Sequence, residues 1–204
     1  DEKTCQLATY YGYRKALKDS VPTAEWKTNI LKDGIANVDE HLNKEIGDPN
    51  TLATALAETQ RFFVEYTRLG IPADFTNEGI RGLNARSATS FPSMNGLGCT
   101  WDKELAYRQG VIEGREARAM GYTNIYAPIL DVARDQRWGR WEGAIGEDPY
   151  LVARIGVAMS KGIQSQRVVS TPKHYVGYGD CKAARQWDSR TDPHVTPSEM
   201  HYIH

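Results

Sequence analysis

The sequence predicts an α/β protein built on a parallel sheet, and two observations carry that prediction. From about residue 50, segments with helical periodicity alternate with short apolar runs, in the order helix, strand, helix, strand, helix, strand. The apolar runs are continuous rather than alternating, as expected when helices cover both faces of a sheet. A third observation bears on function. Polar and charged residues gather just after each run, at the strand ends where parallel α/β folds place their sites. A doubly wound sheet and a (β/α)8 barrel both satisfy this order. About four strands are expected, so a barrel, with eight strands and typically ~250 residues, would be present as roughly its first half.

Each element has a local justification. Residues 1–20 read as helix, with the period interrupted at Tyr10-Tyr11-Gly12-Tyr13. Residues 21–50 are mixed and polar, broken by Pro22, Gly34, Gly47 and Pro49. Residues 1–50 are therefore expected to form a helical or irregular arm, with the α/β part over 51–204. Leu52, Leu56, Thr59, Phe63, Tyr66 and Leu69 recur at helical spacing, as helix packing, with Gly70 as the cap. Residues 71–75 are extended, and 88–91 form a weaker strand ending at Pro92. Asp102 is placed to cap a helix that buries Leu105, Ile112, Ala119 and Met120 and stops at Gly121. Residues 124–132 are strand-like. Asp148-Pro149 starts the next helix, with Leu151, Val152, Ile155, Met159 and Ile163 inward. Residues 167–170 form another strand running into Lys173-His174, and a final helix begins near Pro197.

Composition narrows the function classes. The 204 residues carry 25 Lys plus Arg against 26 Asp plus Glu, a net charge of −1, so there is no electrostatic case for nucleic acid or an anionic membrane surface. A mean hydropathy of −0.57 and no run of ~18 apolar residues argue against a spanning helix. Cys5, Cys99 and Cys181 are neither a disulfide framework nor a CxxC metal site. His194, His201 and His204 lack the i, i+4 pairing of a zinc helix, and no Gly-rich loop opens a helix after a strand. The chain opens on Asp1-Glu2-Lys3, without Met or a basic-then-apolar leader, and closes just inside a helix. It reads as a fragment at both ends.

The residues after the strands suggest a ligand. Asn77-Glu78-Gly79 and Arg81-Gly82 follow the first, Arg134 to Glu142 follow the third, and Lys173-His174 end the last. Cations and acids mixed with aromatics suit a neutral polyhydroxylated ligand: charged groups for the hydroxyls, aromatic faces for the C–H patches.

The same residues carry a family resemblance. The segments Ile71-Pro72, Asn77-Glu78-Gly79-Ile80-Arg81-Gly82, Ser90-Phe91-Pro92 and Thr100-Trp101-Asp102 occur in order. They are followed by Ala127-Pro128-Ile129-Leu130-Asp131-Val132, Arg137-Trp138-Gly139-Arg140, Gly146-Glu147-Asp148-Pro149 and Lys173-His174-Tyr175. Together they resemble the opening of a glycoside hydrolase family 3 barrel of the β-glucosidase type, best over residues 65–180. The resemblance implies a partial (β/α)8 barrel and a sugar-binding rim. Glu78 sits where members place an acid, often Asp, on the hydroxyls of the nonreducing-end sugar. Arg140, Lys173 and His174 match the basic residues on that sugar, and Arg81 stands where many members have His. The implied reaction is retaining, exo-acting hydrolysis of terminal β-glucosyl or β-xylosyl residues without a cofactor. Its partners are a β-linked oligosaccharide or glycoside, the remaining half of the barrel and an α/β sandwich domain. The nucleophile, an Asp in a Ser-Asp-Trp-like motif, and the acid/base are expected outside this chain, which is therefore expected to be catalytically incomplete. A periplasmic or secreted location goes with the family. In the β-N-acetylglucosaminidase branch a His acts as acid/base where this chain has Tyr178, and a phenol is a poor substitute near neutral pH.

Other polar residues have blander readings. Glu147 and Asp148 read as a helix start, and Glu142 as a partner fixing Arg140. Asp74 and Asp131, within strands, read as structural salt bridges. Of Trp138 and Trp141, which flank the rim, one is expected in the core. The rival to the enzyme reading is a non-catalytic sugar-binding or structural fragment, inert alone.

Overall fold

The computed structural model describes residues 1–10, 17–18, 21–39, 47–181 and 192–204. Five parallel strands form the main sheet: β1 (Thr9–Tyr10), β4 (Asn37–Val38), β5 (Asp74–Glu78), β6 (Asn124–Tyr126) and β7 (Val169–Ser170). A short antiparallel pair, β2 (Leu17–Lys18) and β3 (Val21–Pro22), forms a second sheet. The five strands lie side by side in chain order. A doubly wound sheet reverses direction at a switch point, whereas a barrel wall grows monotonically. The observed order therefore selects the barrel between the two predicted architectures.

The N-terminal quarter departs from expectation. Among the described residues of 1–20, helix is seen at α1 (Glu2–Cys5), and the chain then enters the sheet as β1. The interruption at Tyr11-Gly12-Tyr13 lies outside the described residues. Instead of an irregular segment, residues 21–50 include a π-helical turn, Trp26–Ile30, and β4, which pairs with both β1 and β5. The sheet thus runs across the expected boundary at residue 50. These strands were not legible because each is two residues long, too short for any period to register.

The helices follow their caps. Helix α2 (Pro49–Tyr66) begins where the Asp48 carboxylate accepts the Thr51 amide, and α5 (Pro149–Gln164) repeats the device with Asp148 and Leu151. Helix α4 (Lys103–Met120) is capped by Asp102 and ends at Gly121, whose φ is +95°. A short α3 (Met94–Gly98) precedes it, and α6 (Pro197–Tyr202) opens with a capping box between Thr196 and Glu199. Helix α2 ends at Tyr66, before the predicted Gly70. Leu52, Leu56 and Phe63 are buried, with Val152, Ile155, Met159 and Ile163 of α5, whereas Tyr66 is exposed.

The buried face of α4 is a correction. Leu105 and Ile112 are exposed, and the helix instead buries Ala106, Gly110, Gly114 and Ala117, with Gln109 and Glu113. The reason is the close approach of α5. A Cβ on Gly162 would lie 2.2 Å from the Tyr107 carbonyl oxygen, and one on Gly110 would lie 2.3 Å from that of Met159. On an exposed helix Gly→Ala stabilises by ~1 kcal/mol. Here Gly162→Ala is expected to destabilise by ~1–3 kcal/mol, because the helices must part. A urea midpoint raised by the substitution would contradict this packing.

Strand boundaries also move, with the runs at 124–132 and 167–170 shortened to β6 and β7. The first predicted strand shifts from 71–75 to β5, leaving Pro72 outside the ladder, and 88–91 form no strand. Strand β5 buries Thr76 and Asn77 as well as Phe75. The Asp74 carboxylate accepts hydrogen bonds from Asn37 on β4 (3.1 Å), Asn124 on β6 (2.9 Å) and the Thr123 hydroxyl (2.5 Å). The expected salt bridge of Asp74 is thus a polar layer linking three strands.

Candidate active site

Strand direction gathers the site. Glu78 is the last residue of β5. The loop after β6 carries Asp131 and Arg140, and Lys173-His174 come shortly after β7. Beyond the regular strands β6 and β7 touch again. Ile129 bridges Lys173, the Leu130 amide donates to the Lys173 carbonyl (2.6 Å), and the Lys173 amide donates to that of Pro128 (3.1 Å). This second contact brings His174 onto Asp131.

Four of the five residues singled out in the sequence form two linked clusters. The Lys173 ammonium lies 2.6 Å from each oxygen of the Glu78 carboxylate. Its Nζ also stands 5.7 Å from the centroid of the Tyr126 ring, whose phenol is held above its ordinary pKa by burial. Next in sequence, His174 Nδ1 lies 2.6 Å from Asp131 Oδ2, and its Nε2 lies 3.0 Å from Arg140 Nη1. Guanidinium groups only donate and carboxylates only accept. Nδ1 therefore carries the hydrogen and Nε2 accepts from Arg140. Asp131 fixes the tautomer of His174, and His174 in turn orients the guanidinium.

Tyr178 packs beneath this chain of contacts. Its ring meets His174 edge-on at 4.8 Å and Trp138 at 5.1 Å, and the Arg140 guanidinium carbon is 5.9 Å from its centroid. Of Trp138 and Trp141, Trp138 is the buried one, 2% exposed, in a small cluster with Ala133, Ala144 and Cys181. It anchors the loop that carries Arg140.

Two shallow cavities flank the clusters. One of about 180 Å³ is lined by Asp131, Lys173, His174 and Tyr175, with His204 at its edge, 2.8 Å from Asp180. The other, about 110 Å³, is lined by Arg81, Arg140, Ser93 and Glu142. Arg81 is exposed there, beside Arg140 rather than inside the hydrogen-bonded clusters. Glu142, expected to fix Arg140, is an exposed wall residue of that cavity, and His174 is a side chain that meets Arg140. Asp148 is the α5 cap, as read from the sequence, and Glu147 precedes it. Asp131 is the residue whose place in the site the sequence reading missed. Its partner turns out to be the site histidine, and the signal available was its place just beyond a strand, before the Trp138 loop.

A section of parallel barrel wall with paired acid, base and aromatic groups at the carboxyl ends of its strands defines an α/β barrel with a polar rim. The family model described as Glycosyl hydrolase family 3 N terminal domain matches residues 1–201. The chain belongs to glycosyl hydrolase family 3.

It is 38% identical over 160 residues to a β-xylosidase of Formosa agariphila, covering 70% of this chain and 22% of that protein. It is 32% identical over 196 residues to a periplasmic β-glucosidase/β-xylosidase of Dickeya chrysanthemi, covering 83% of this chain and 30% of that one. Among solved structures, a β-glucosidase of Erythrobacter marinus superposes with a TM-score of 0.78 at 28% identity, over 88% of this chain and 24% of that one. A family 3 β-N-acetylglucosaminidase of Paenibacillus superposes with a TM-score of 0.70 at 26% identity, over 90% of this chain and 34% of that one. The chain thus spans less than a third of the length of these two curated relatives.

Proposed function

We propose that the protein containing this chain is a retaining, exo-acting β-glucosidase or β-xylosidase, and that this chain supplies the rim that holds the terminal sugar. The observation that carries the reading is the convergence of Glu78 and Lys173 with Arg140, His174 and Asp131 at the strand ends. Such a set can bind adjacent sugar hydroxyls through charge-assisted hydrogen bonds. It accelerates hydrolysis only so far as those bonds tighten in the transition state. Bond cleavage then falls to two carboxyl groups ~5–5.5 Å apart, supplied by the rest of the barrel and an α/β sandwich domain. The relatives named for β-glucosidase and β-xylosidase activity support this substrate class. Tyr178, packed against His174 and Trp138, supports it over an N-acetylglucosaminidase, which needs a titratable acid there. A periplasmic or secreted location follows the Dickeya relative. Among the described residues, no helix is long and apolar enough to cross a membrane.

The test is hydrolysis of aryl β-glucosides and β-xylosides by the full-length protein, with the anomer of the first product followed by NMR. Initial release of the β-anomer is expected; initial α-anomer would overturn retention, and no turnover would leave a non-catalytic sugar binder. Asp131→Asn should lower kcat/KM about tenfold, because an amide presented to Nδ1 no longer dictates the tautomer that Arg140 requires. Unchanged kinetics for this variant would remove Asp131 from the site.

A further inference from the structure

Helix α4 sends one acid into the sheet. Glu113 is fully buried, and its Oε1 accepts hydrogen bonds from the Gly82 amide (2.9 Å) and from Gln109 Nε2 (2.9 Å). Its Oε2 is buried without a hydrogen-bond partner and lies 3.4 Å from where a Cβ on Gly79 would stand. A carboxyl so placed is costly, because its second oxygen has no compensating hydrogen bond. We propose that Glu113 is a positioning residue for the rim: its carboxyl holds the turn from Gly79 to Gly82, and through that turn sets where Glu78 and Arg81 meet substrate.

The backbone of this turn admits little else. A Cβ on Gly79 would fall 2.2 Å from Ile125 Cγ2, and one on Gly82, at φ +97°, would fall 2.1 Å from the Thr89 carbonyl oxygen. Asn77 pins the next stretch, accepting the Asn84 amide at 2.9 Å, and the Phe91 amide closes on the Arg81 carbonyl at 3.0 Å. Glu113 is thus one of three anchors on a loop with a rim residue at its start and another in its middle. The charged group that acts on it is Glu116, on the same helix. Around the Gly79 Cα it faces lie the apolar Ile125, on β6, and Ala127, just beyond it, Glu78 is turned to Lys173, and Arg81 is exposed. Burial pushes the Glu113 carboxyl up to about 8, so it holds the turn as a neutral acid at pH 7.

This inference rests on the glycosidase reading, so its experiment carries a second readout. Full-length protein with E113M, E113Q, E78A or E78A/E113M is assayed on an activated aryl β-glucoside and β-xyloside, and exchange of the Gly82 amide is followed on the same samples. Methionine fills the apolar space without an acceptor, whereas the glutamine oxygen still accepts from Gly82. E113M is expected to lower kcat/KM about tenfold, chiefly through KM, with Gly82 exchanging at least tenfold faster. E113Q is expected to restore both to within about threefold of the parent. In the E78A background the E113M penalty should shrink below about twofold, since the residue acts through the rim. Unaltered kcat/KM per folded molecule in E113M, full additivity with E78A, or unaltered Gly82 exchange would each overturn the proposal. A parent protein that turns over neither glycoside would overturn the glycosidase reading itself, with the hold on Gly82 still read by exchange.

Discussion

Replacing Arg140 by Ala in the full-length protein is expected to lower kcat/KM for aryl β-glucosides ten- to hundredfold. Two losses combine. Charge-assisted hydrogen bonds to sugar hydroxyls are worth ~1.5–3 kcal/mol each, or roughly one to two decades of rate at ~1.4 kcal/mol per decade. His174 also loses the donor opposite its Nε2, 3.0 Å away, so the ring fixed by Asp131 on one side is unheld on the other. Arg140→Lys should recover only part of the loss, since an ammonium lacks the planar fork that addresses His174 and a hydroxyl together. Steady-state kinetics of both variants check this. Parent-like values for Arg140→Ala would show that the guanidinium serves the Trp138–Tyr178 packing and not the sugar.

What the sequence disclosed, it disclosed through chemistry that acts locally. Asp102 and Asp148 each precede a helix and each cap it, because a carboxylate answering one or two orphan amides depends on nothing distant. The α5 face was legible because five apolar residues share one stripe against the core. The α4 face was not. Its contact is governed by the absence of side chains at Gly110 and Gly162, a property of two helices at once, and this places Leu105 and Ile112 outward against the hydrophobic pattern.

The site divides in the same way. Glu78, Arg140, Lys173 and His174 were singled out because they are polar, follow strands and match a family pattern, and the structure pairs Glu78 with Lys173 and Arg140 with His174. Arg81 reached the neighbouring cavity, one loop away. Asp131 and Glu113 act through what they touch. One lies just beyond a strand and the other within a helix, 18 residues apart, and neither has a local signature that separates it from a structural acid. Strands β1 and β4 escaped for a different reason. Two-residue segments owe their conformation to the neighbouring strand, and no propensity scale registers that.

The buried acid has a measurable consequence for stability. With its carboxyl raised from an ordinary 4.5 to about 8, Glu113 keeps its proton in the folded state across a range in which the unfolded chain has released it. The folded state then binds more protons than the unfolded state, and stability must fall as pH rises. The fall begins near pH 4.5 and levels off above about 8, where both states are ionised. At ~1.4 kcal/mol per pH unit the whole span amounts to at most ~5 kcal/mol. E113Q keeps the acceptor for Gly82 but has no proton to release. Stability of the parent minus that of E113Q should therefore decrease steadily from pH 5 to pH 8 and then flatten, the contributions of all other titrating groups cancelling in the difference. Urea midpoints of the barrel domain, followed by tryptophan fluorescence in the full-length protein at half-unit steps of pH, read this directly. A difference that stays flat between pH 5 and pH 8 would mean that Glu113 ionises as it does in water. The carboxyl would then have reached solvent, and the Gly79–Gly82 turn would not be closed over it as the Gly82 hydrogen bond requires.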